Sequence, residues 1–294
     1  MNDIFNISKN NKINWDKLYN ESINNLISNE NVDVNVIIGF RNRNEFIEPL
    51  IKSFEDAFNF YNENSENKKK FILTFVEHDL ESYNMKNIPN TCNYLWSKGN
   101  VINQYSRSFS YNYGFKYSNN SKYYLFHDLD ILIKKDFFIR IFKNLGDNKC
   151  LQSYGNRHIW YMSKKITDEF LNKKLNLDLI DKNNPEITAP DIKGSMGGSI
   201  FIEKNLYNDI GGFDPELFWG YAAEDQMFWH KVLTIEKIIY SDNPVIDLFH
   251  MWHPPTHNTN PLLMVMEESM IQFRNLEYNK KIEFLNLKKD LLHG

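Results

Sequence analysis

The chain has 294 residues, 42% hydrophobic and 24% charged, with a formal net charge of −4. That length supports one large domain with a substantial core, and the composition is that of an ordinary globular protein. The acidic balance excludes a phosphate-tracking coat, which needs clustered Lys and Arg, so no nucleic-acid partner is expected.

Residues 1–30 are polar and Asn-rich, with a weak helical pattern through Trp15, Leu18 and Ile23, and read as an N-terminal appendage. The opening Met1-Asn2-Asp3-Ile4-Phe5-Asn6 has no basic stretch before an apolar one, so no signal peptide is expected and a soluble, cytoplasmic protein is. No run approaches the ~18 consecutive apolar residues of a transmembrane segment. Val34-Asn35-Val36-Ile37-Ile38-Gly39-Phe40 is the first strong strand. Phe46, Leu50, Ile51, Phe54 and Phe58 then fall at helical spacing, and Asn59 to Lys70 reads as a polar connection. Phe71 to Val76 is a second buried strand, ending at Glu77-His78-Asp79. A helix is predicted from about Ile102 to Phe115, and a third strand, Tyr123 to Phe126, runs into His127-Asp128-Leu129-Asp130.

Lys164 to Lys193 is charged and Asn-rich, with Pro185 and Pro190, and reads as a mobile excursion over the sheet. Order returns at Gly197-Gly198-Ser199-Ile200-Phe201-Ile202. The turn Gly211-Gly212-Phe213-Asp214-Pro215 leads to Phe218-Trp219-Gly220-Tyr221 and a helix from near Glu224. A last strand, Val245 to Phe249, delivers His250-Met251-Trp252-His253, and the tail after Pro261 is helical. Strand–helix alternation predicts an α/β fold with a mostly parallel sheet flanked by helices. The expected division is an appendage over 1–30, a main domain over 31–260 and a helical tail over 261–294. Cys92 and Cys150 match no metal-ligand spacing and are expected as two free thiols.

In such sheets ligands collect beyond the carboxyl ends of the strands, where three polar clusters fall: Arg41-Asn42-Arg43, Glu77-His78-Asp79 and Asp128-Leu129-Asp130. Asp128-x-Asp130 offers one carboxylate to a hard divalent cation and another to a sugar or ribose, though such pairs also occur as solvated turns. His250-x-x-His253 adds imidazoles, which suit manganese, iron or zinc better than magnesium or calcium, though such pairs also occur as surface or satisfied core residues. Combined with Asp130 and diphosphate oxygens, the mixture suits manganese. Arg41 and Arg43 at one strand end, and Arg107 elsewhere in the chain, offer planar forks to phosphate or uracil carbonyl oxygens, though a single Arg more often serves a surface salt bridge. Glu224-Asp225 opens a helix after an aromatic segment; the pair reads either as a helix cap or as a general base at an acceptor site.

The ordered set Phe40-Arg41-Asn42-Arg43, Tyr105-Ser106-Arg107, Asp128-Leu129-Asp130, Arg157-His158-Ile159, Gly197-Gly198, Gly212-Phe213, Trp219-Gly220-Tyr221-Ala222-Ala223-Glu224-Asp225 and His253 resembles the β-1,4-galactosyltransferases and the wider GT-A enzymes, including chondroitin-type polymerases. The resemblance runs from about Val34 to His257 and implies a GT-A, Rossmann-like fold. It further implies a UDP-sugar donor held by Phe40, Arg41, Arg43, Arg107, Asp128, Gly198, Trp219 and Tyr221. Manganese, or magnesium in its place, would sit on Asp130 and His253, with His250 as a third ligand where galactosyltransferases carry Met. Asp225 would be the base that deprotonates an acceptor hydroxyl on a glycan or similar molecule, and Glu224 would bind sugar hydroxyls in an inverting displacement. Departures are Tyr221 for Trp, Ala222-Ala223 for a Gly pair, Gln226 for Asp, and Ser195 for a bulky aromatic, which would leave room for N-acetylated donors. A catalytically weak binding module on the same scaffold, a metal-dependent hydrolase and a retaining transferase are the alternatives.

Overall fold

A computed structural model describes residues 3–28, 30–82, 84–98, 105–151, 157–173, 177, 180, 183–188, 197–220, 223–237, 246–254 and 263–294. Two short helices, α1 (Ile4–Asn10) and α2 (Trp15–Asn20), precede strand β1 (Ile23–Asn25). There follow β2 (Val32–Phe40), α3 (Ile47–Asn64), β3 (Phe71–Asp79), β4 (Asn93–Lys98), α4 (Arg107–Tyr117) and β5 (Ser121–Asp128). Next come β6 (Ile131–Ile133), α5 (Phe137–Leu145), β7 (Cys150–Leu151), β8 (Arg157–Met162), α6 (Lys164–Lys173) and β9 (Ile187–Thr188). The chain continues through β10 (Ser199–Glu203), α7 (Lys204–Asp209), α8 (Glu224–Ile235) and β11 (Ile246–His250) to α9 (Leu263–Asn275) and α10 (Tyr278–His293).

Among the described residues the main sheet has the order β1-β4-β3-β2-β5-β10-β7. Its centre, β4-β3-β2-β5, is parallel, while β10 runs antiparallel to β5 and β7. A smaller sheet, β6-β11-β8-β9, stands beside it. The central strands are apolar on both faces because both are covered, as a parallel sheet requires. One face packs Val36 and Ile38 under Leu50, Phe54 and Ala57 of α3. The other packs Ile37 and Val76 against Phe109 and Tyr113 of α4. The α/β architecture with a mostly parallel central sheet follows the expected pattern.

Several local expectations need correction. α3 continues to Asn64, six residues into the expected connection, because Tyr61 is buried against Phe71 and Phe142. β3 continues through Glu77-His78-Asp79, so that cluster lies within the strand rather than beyond it. The polar side chains are tolerated there because they are paired: Glu77 accepts from the Asn84 main-chain N–H at 3.1 Å, the Asn84 side chain at 2.6 Å and the Tyr94 hydroxyl at 2.5 Å.

Part of the excursion over 164–193 is regular structure. α6 is anchored by buried Thr167 and Phe170, and Ile187 pairs with Met162 across β9 and β8. The N-terminal appendage is built into the main body. β1 pairs with β4, and Trp15 is buried, its indole N–H donating to the Leu291 carbonyl at 2.9 Å. The helical tail is packed as well: Phe273 of α9 and Phe284 of α10 share a cluster with Leu217, Phe218 and Met227. Cys92 and Cys150 are both free and buried, as expected. Among the described residues no helix is long and apolar enough to cross a membrane.

Candidate functional site

The site lies where β2, β3 and β5 end together and β10 begins. β2 delivers Arg41-Asn42-Arg43 through a turn in which Asn42 and Arg43 both adopt left-handed backbone, at φ 59° and 62°. Each such non-glycine residue costs about 1–3 kcal/mol and persists only where its surroundings over-determine it. Here the turn directs the Arg43 guanidinium onto the Asp130 carboxylate. Arg41 pairs instead with Asp79 at the end of β3, at 3.3 Å. The Phe40 ring packs edge-on against Phe75 in the core, so its side chain does not face the crevice.

Beside Asp79, His78 is stripped of water and faces the Arg41 charge, which pushes its pKa down to about 3. The neutral ring accepts from the Ser106 N–H at 3.2 Å and stacks on Phe109 at 4.4 Å. It is a wall of the crevice, not a titrating group near neutral pH.

The second sheet supplies the metal-type ligands. β11 pairs antiparallel with β6, setting His250 opposite Ile131, and the Met251 N–H donates to the Asp130 carbonyl at 2.8 Å. His253 Nε2 then lies 3.1 Å from Asp130 Oδ2, and His250 Nε2 3.7 Å from Oδ1. One ligand atom from each of Asp130, His250 and His253 falls within 4.8 Å of the others. Burial opposes the charged form of Asp130, but the His253 hydrogen bond and the His250 and Arg43 charges outweigh it and hold the pKa at about 2. Burial pushes His250 down despite Asp130, whereas the Asp130 hydrogen bond pushes His253 up. An ionised carboxylate with two imidazoles, one of them kept neutral, is a donor set that fits a first-row divalent cation.

Asp128 faces the opposite way, into a second cluster. Arg107, at the first position of α4, reaches Asp128 at 2.9 Å, Glu224 at 2.7 Å and Asp225 at 2.5 Å. Tyr111, one turn along α4, donates its hydroxyl to Asp128 at 2.8 Å. Sequence reasoning missed Tyr111, although its i+4 spacing from Arg107 on a helix was a usable signal. Desolvation works against the Arg107 charge, but Asp128, Asp225 and Glu224 raise its pKa well above the ordinary value. Three carboxylates around one guanidinium leave an excess of negative charge. It falls on Glu224, which burial, with the neighbouring Asp225, raises to about 7 against the pull of Arg107.

This shift sets a pH dependence. A carboxyl with a raised folded pKa binds a proton that the unfolded chain has already released between about pH 4.5 and 7. Its contribution to stability is therefore present at low pH and declines as pH rises through that window. Glu224→Gln removes the titration, so its melting temperature relative to the native chain should rise between pH 4.5 and 8; a constant difference across a pH series would contradict the assignment.

β10 enters the site through Gly197-Gly198. The Gly198 carbonyl accepts the Asp128 N–H at 2.9 Å, with Gly198 at φ 80°. A Cβ on Gly197 would collide with the Asp225 carboxylate, so glycine is required for that close approach. Gly197→Ala should displace Asp225 and lower any reaction that depends on its position by about 10²-fold, the scale of a 1 Å misplacement. Steady-state kinetics on the folded variant check this.

Trp219 is half-buried, 6.3 Å from the His78 ring, and the Gly220 N–H donates to the Tyr105 carbonyl at 3.0 Å. Tyr221, like Ser195 and Ala222, lies outside the described residues. The structure thus gathers Arg43, Asp130, His250 and His253 in one cluster, and Arg107, Asp128, Gly198, Glu224 and Asp225 in an adjoining one. Arg41 stands at the side with Asp79.

No family model and no curated protein match the sequence. Among solved structures, Staphylococcus aureus TarS 1-349 in complex with UDP-GlcNAc superposes with a TM-score of 0.50 at 19% identity, over 87% of this chain and 72% of that one. A Pyrobaculum calidifontis mannosyltransferase in complex with GDP-Man and Mn2+ has a TM-score of 0.46 at 12% identity, over 97% and 80%. A mutant Drosophila β-1,4-galactosyltransferase 7 in complex with manganese, UDP-Gal and xylobiose has a TM-score of 0.42 at 12% identity, over 81% and 79%. The chain shares its overall fold with TarS 1-349.

Proposed function

We propose that this chain is a metal-dependent glycosyltransferase that moves a hexose or N-acetylhexosamine from a UDP-sugar to an acceptor hydroxyl with inversion. The observation that carries the reading is the adjacency of two clusters beyond the carboxyl ends of β2 and β5. The first is the Asp130-His250-His253 ligand set; the second is the Glu224-Asp225 carboxylate pair, and the single segment Asp128-Leu129-Asp130 joins them. A hydrolytic metal site would use the first cluster but gives no role to the second or to the strand-end arginines.

Asp130, His250 and His253 would hold the cation, manganese rather than magnesium because two of the three donors are imidazoles. A cation held there would supply positive charge to offset the negative charge on the departing diphosphate. Arg43, which reaches the same carboxylate, and Arg41 would present their guanidinium groups to the phosphate oxygens. Asp128, anchored by Tyr111 and Arg107, would accept from donor hydroxyls.

Asp225 would take the proton from the acceptor hydroxyl as its oxygen attacks the anomeric carbon and the bond to the diphosphate oxygen breaks. Arg107 keeps the carboxylate oriented through Oδ2. Glu224, its pKa raised to about 7, has a buried Oε2 with no hydrogen-bond partner among the described residues, and in its protonated form would donate to a sugar oxygen. Trp219, and by the resemblance Tyr221, would form the apolar wall on which an acceptor sugar stacks.

The test is calorimetric titration with uridine, guanosine and cytidine nucleotide-sugars, with and without manganese. The expected result is manganese-dependent binding of a uridine-diphosphate sugar, followed by transfer to a glycan acceptor with an inverted anomeric proton signal by NMR. Binding without transfer across a broad acceptor panel would favour a carbohydrate- or nucleotide-binding module instead.

A further inference from the structure

Behind the Glu224-Asp225 pair lies a second ionic cluster that the proposed chemistry does not use. Asp214, Glu216, Lys231 and Lys288 are 1%, 6%, 0% and 2% exposed. Lys231, on α8, donates to the Gly212 carbonyl and lies 2.9 Å from both Asp214 carboxylate oxygens. Lys288, on α10, reaches Asp214 at 3.2 Å and also pairs with Glu216. The Asn11 side chain donates to the Glu216 carbonyl at 3.4 Å, so the turn from Gly212 to Glu216 is held from three sides.

Four charges in the interior are costly, and well-packed apolar side chains of similar volume often serve stability as well or better. What an apolar side chain does not supply is direction. Lys231 stands seven residues after Glu224, two turns along α8, and so on the same helical face. Its ammonium is tied to the main chain and carboxylate of a turn that is not part of α8. The contact therefore opposes rotation of the helix about its own axis.

We propose that Lys231 is a positioning residue, whose pairing with Asp214 sets the rotation of α8 and so aims Glu224 and Asp225 at Arg107. The functional half of this inference rests on the transferase reading; the structural half does not. In Lys231→Met, Asp214 keeps Lys288, which it shares with Glu216, so the cluster is left with two carboxylates on one ammonium and a loss of stability is expected alongside any loss of position.

The experiment compares Lys231→Met and Lys231→Arg with the native chain by hydrogen exchange and by kinetics. In Lys231→Met, amides over 223–228 should exchange about tenfold faster or more while those of β2, β3 and β5 are unchanged. The turnover number should fall by roughly 10- to 100-fold, with donor Kd unchanged, and Lys231→Arg should recover part of both losses. If Lys231→Met does not fold, Lys231→Arg is read for the same signs at smaller amplitude. A lower melting temperature with unchanged exchange over 223–228 and unchanged turnover overturns the proposal. If the native chain transfers no sugar from any donor, the transferase reading fails, while the exchange data alone decide whether Lys231 sets α8.

Discussion

Asp225→Asn is expected to lower the turnover number for sugar transfer by about 10³-fold, within the range of general-base contributions, while manganese-dependent donor binding is preserved. The substitution is nearly isosteric, so the close approach to Gly197 survives and the fold has no reason to change. What disappears is the capacity to take a proton. The charge balance around Arg107 shifts as well: two carboxylates, Asp128 and Glu224, then face one guanidinium. Asp225 is one of the groups raising Glu224, so the Glu224 pKa should fall below about 7 in the variant. Carboxyl titration followed by 13C NMR would register that fall independently of catalysis. Near-native turnover in Asp225→Asn would eliminate it as the base and move the role to Glu224.

Asp130→Ala is expected to weaken manganese binding by on the order of 10³-fold and to remove transfer with it, since a bound cation contributes several kcal/mol of charge stabilisation. Asp130 is the carboxylate of the ligand set and the residue on which His250, His253 and Arg43 converge. Without it, two imidazoles and a guanidinium face one another with no negative charge among them, which no dication would neutralise. His253 should then lose the upward shift that its Asp130 hydrogen bond supplies. Electron paramagnetic resonance of free manganese measures the affinity directly. Retained binding in Asp130→Ala would place the cation elsewhere, with Asp128 the first position to test.

Much of this site was legible because its residues sit at the ends of strands with strong apolar patterns. Val34 to Phe40 and Tyr123 to Phe126 announce themselves by β-branched and aromatic runs, so the polar residues following each were candidates for the crevice. Glu77-His78-Asp79 misled by the same logic. Their polarity signalled a strand end, yet Asn84, Tyr94, Ser106 and Arg41 satisfy them inside β3. A one-dimensional pattern records polarity and not partners. Arg107 illustrates the same limit in the site itself: a guanidinium expected to face phosphate is held by three carboxylates drawn from two distant segments.

The sequence by itself determined the alternation of strands and helices, the parallel sheet, and the candidate ligands Asp130, His250 and His253, because side-chain periodicity and local spacing carry that information. The tertiary structure alone decided that Asp128 and Asp130 part into separate clusters and that residues 3–28 belong to the body of the protein. It also decided that Lys231 and Lys288 are buried on Asp214. Each of these depends on groups far apart in sequence meeting across β10, α8 and α10, and pairing between distant charges leaves no periodic trace in the chain.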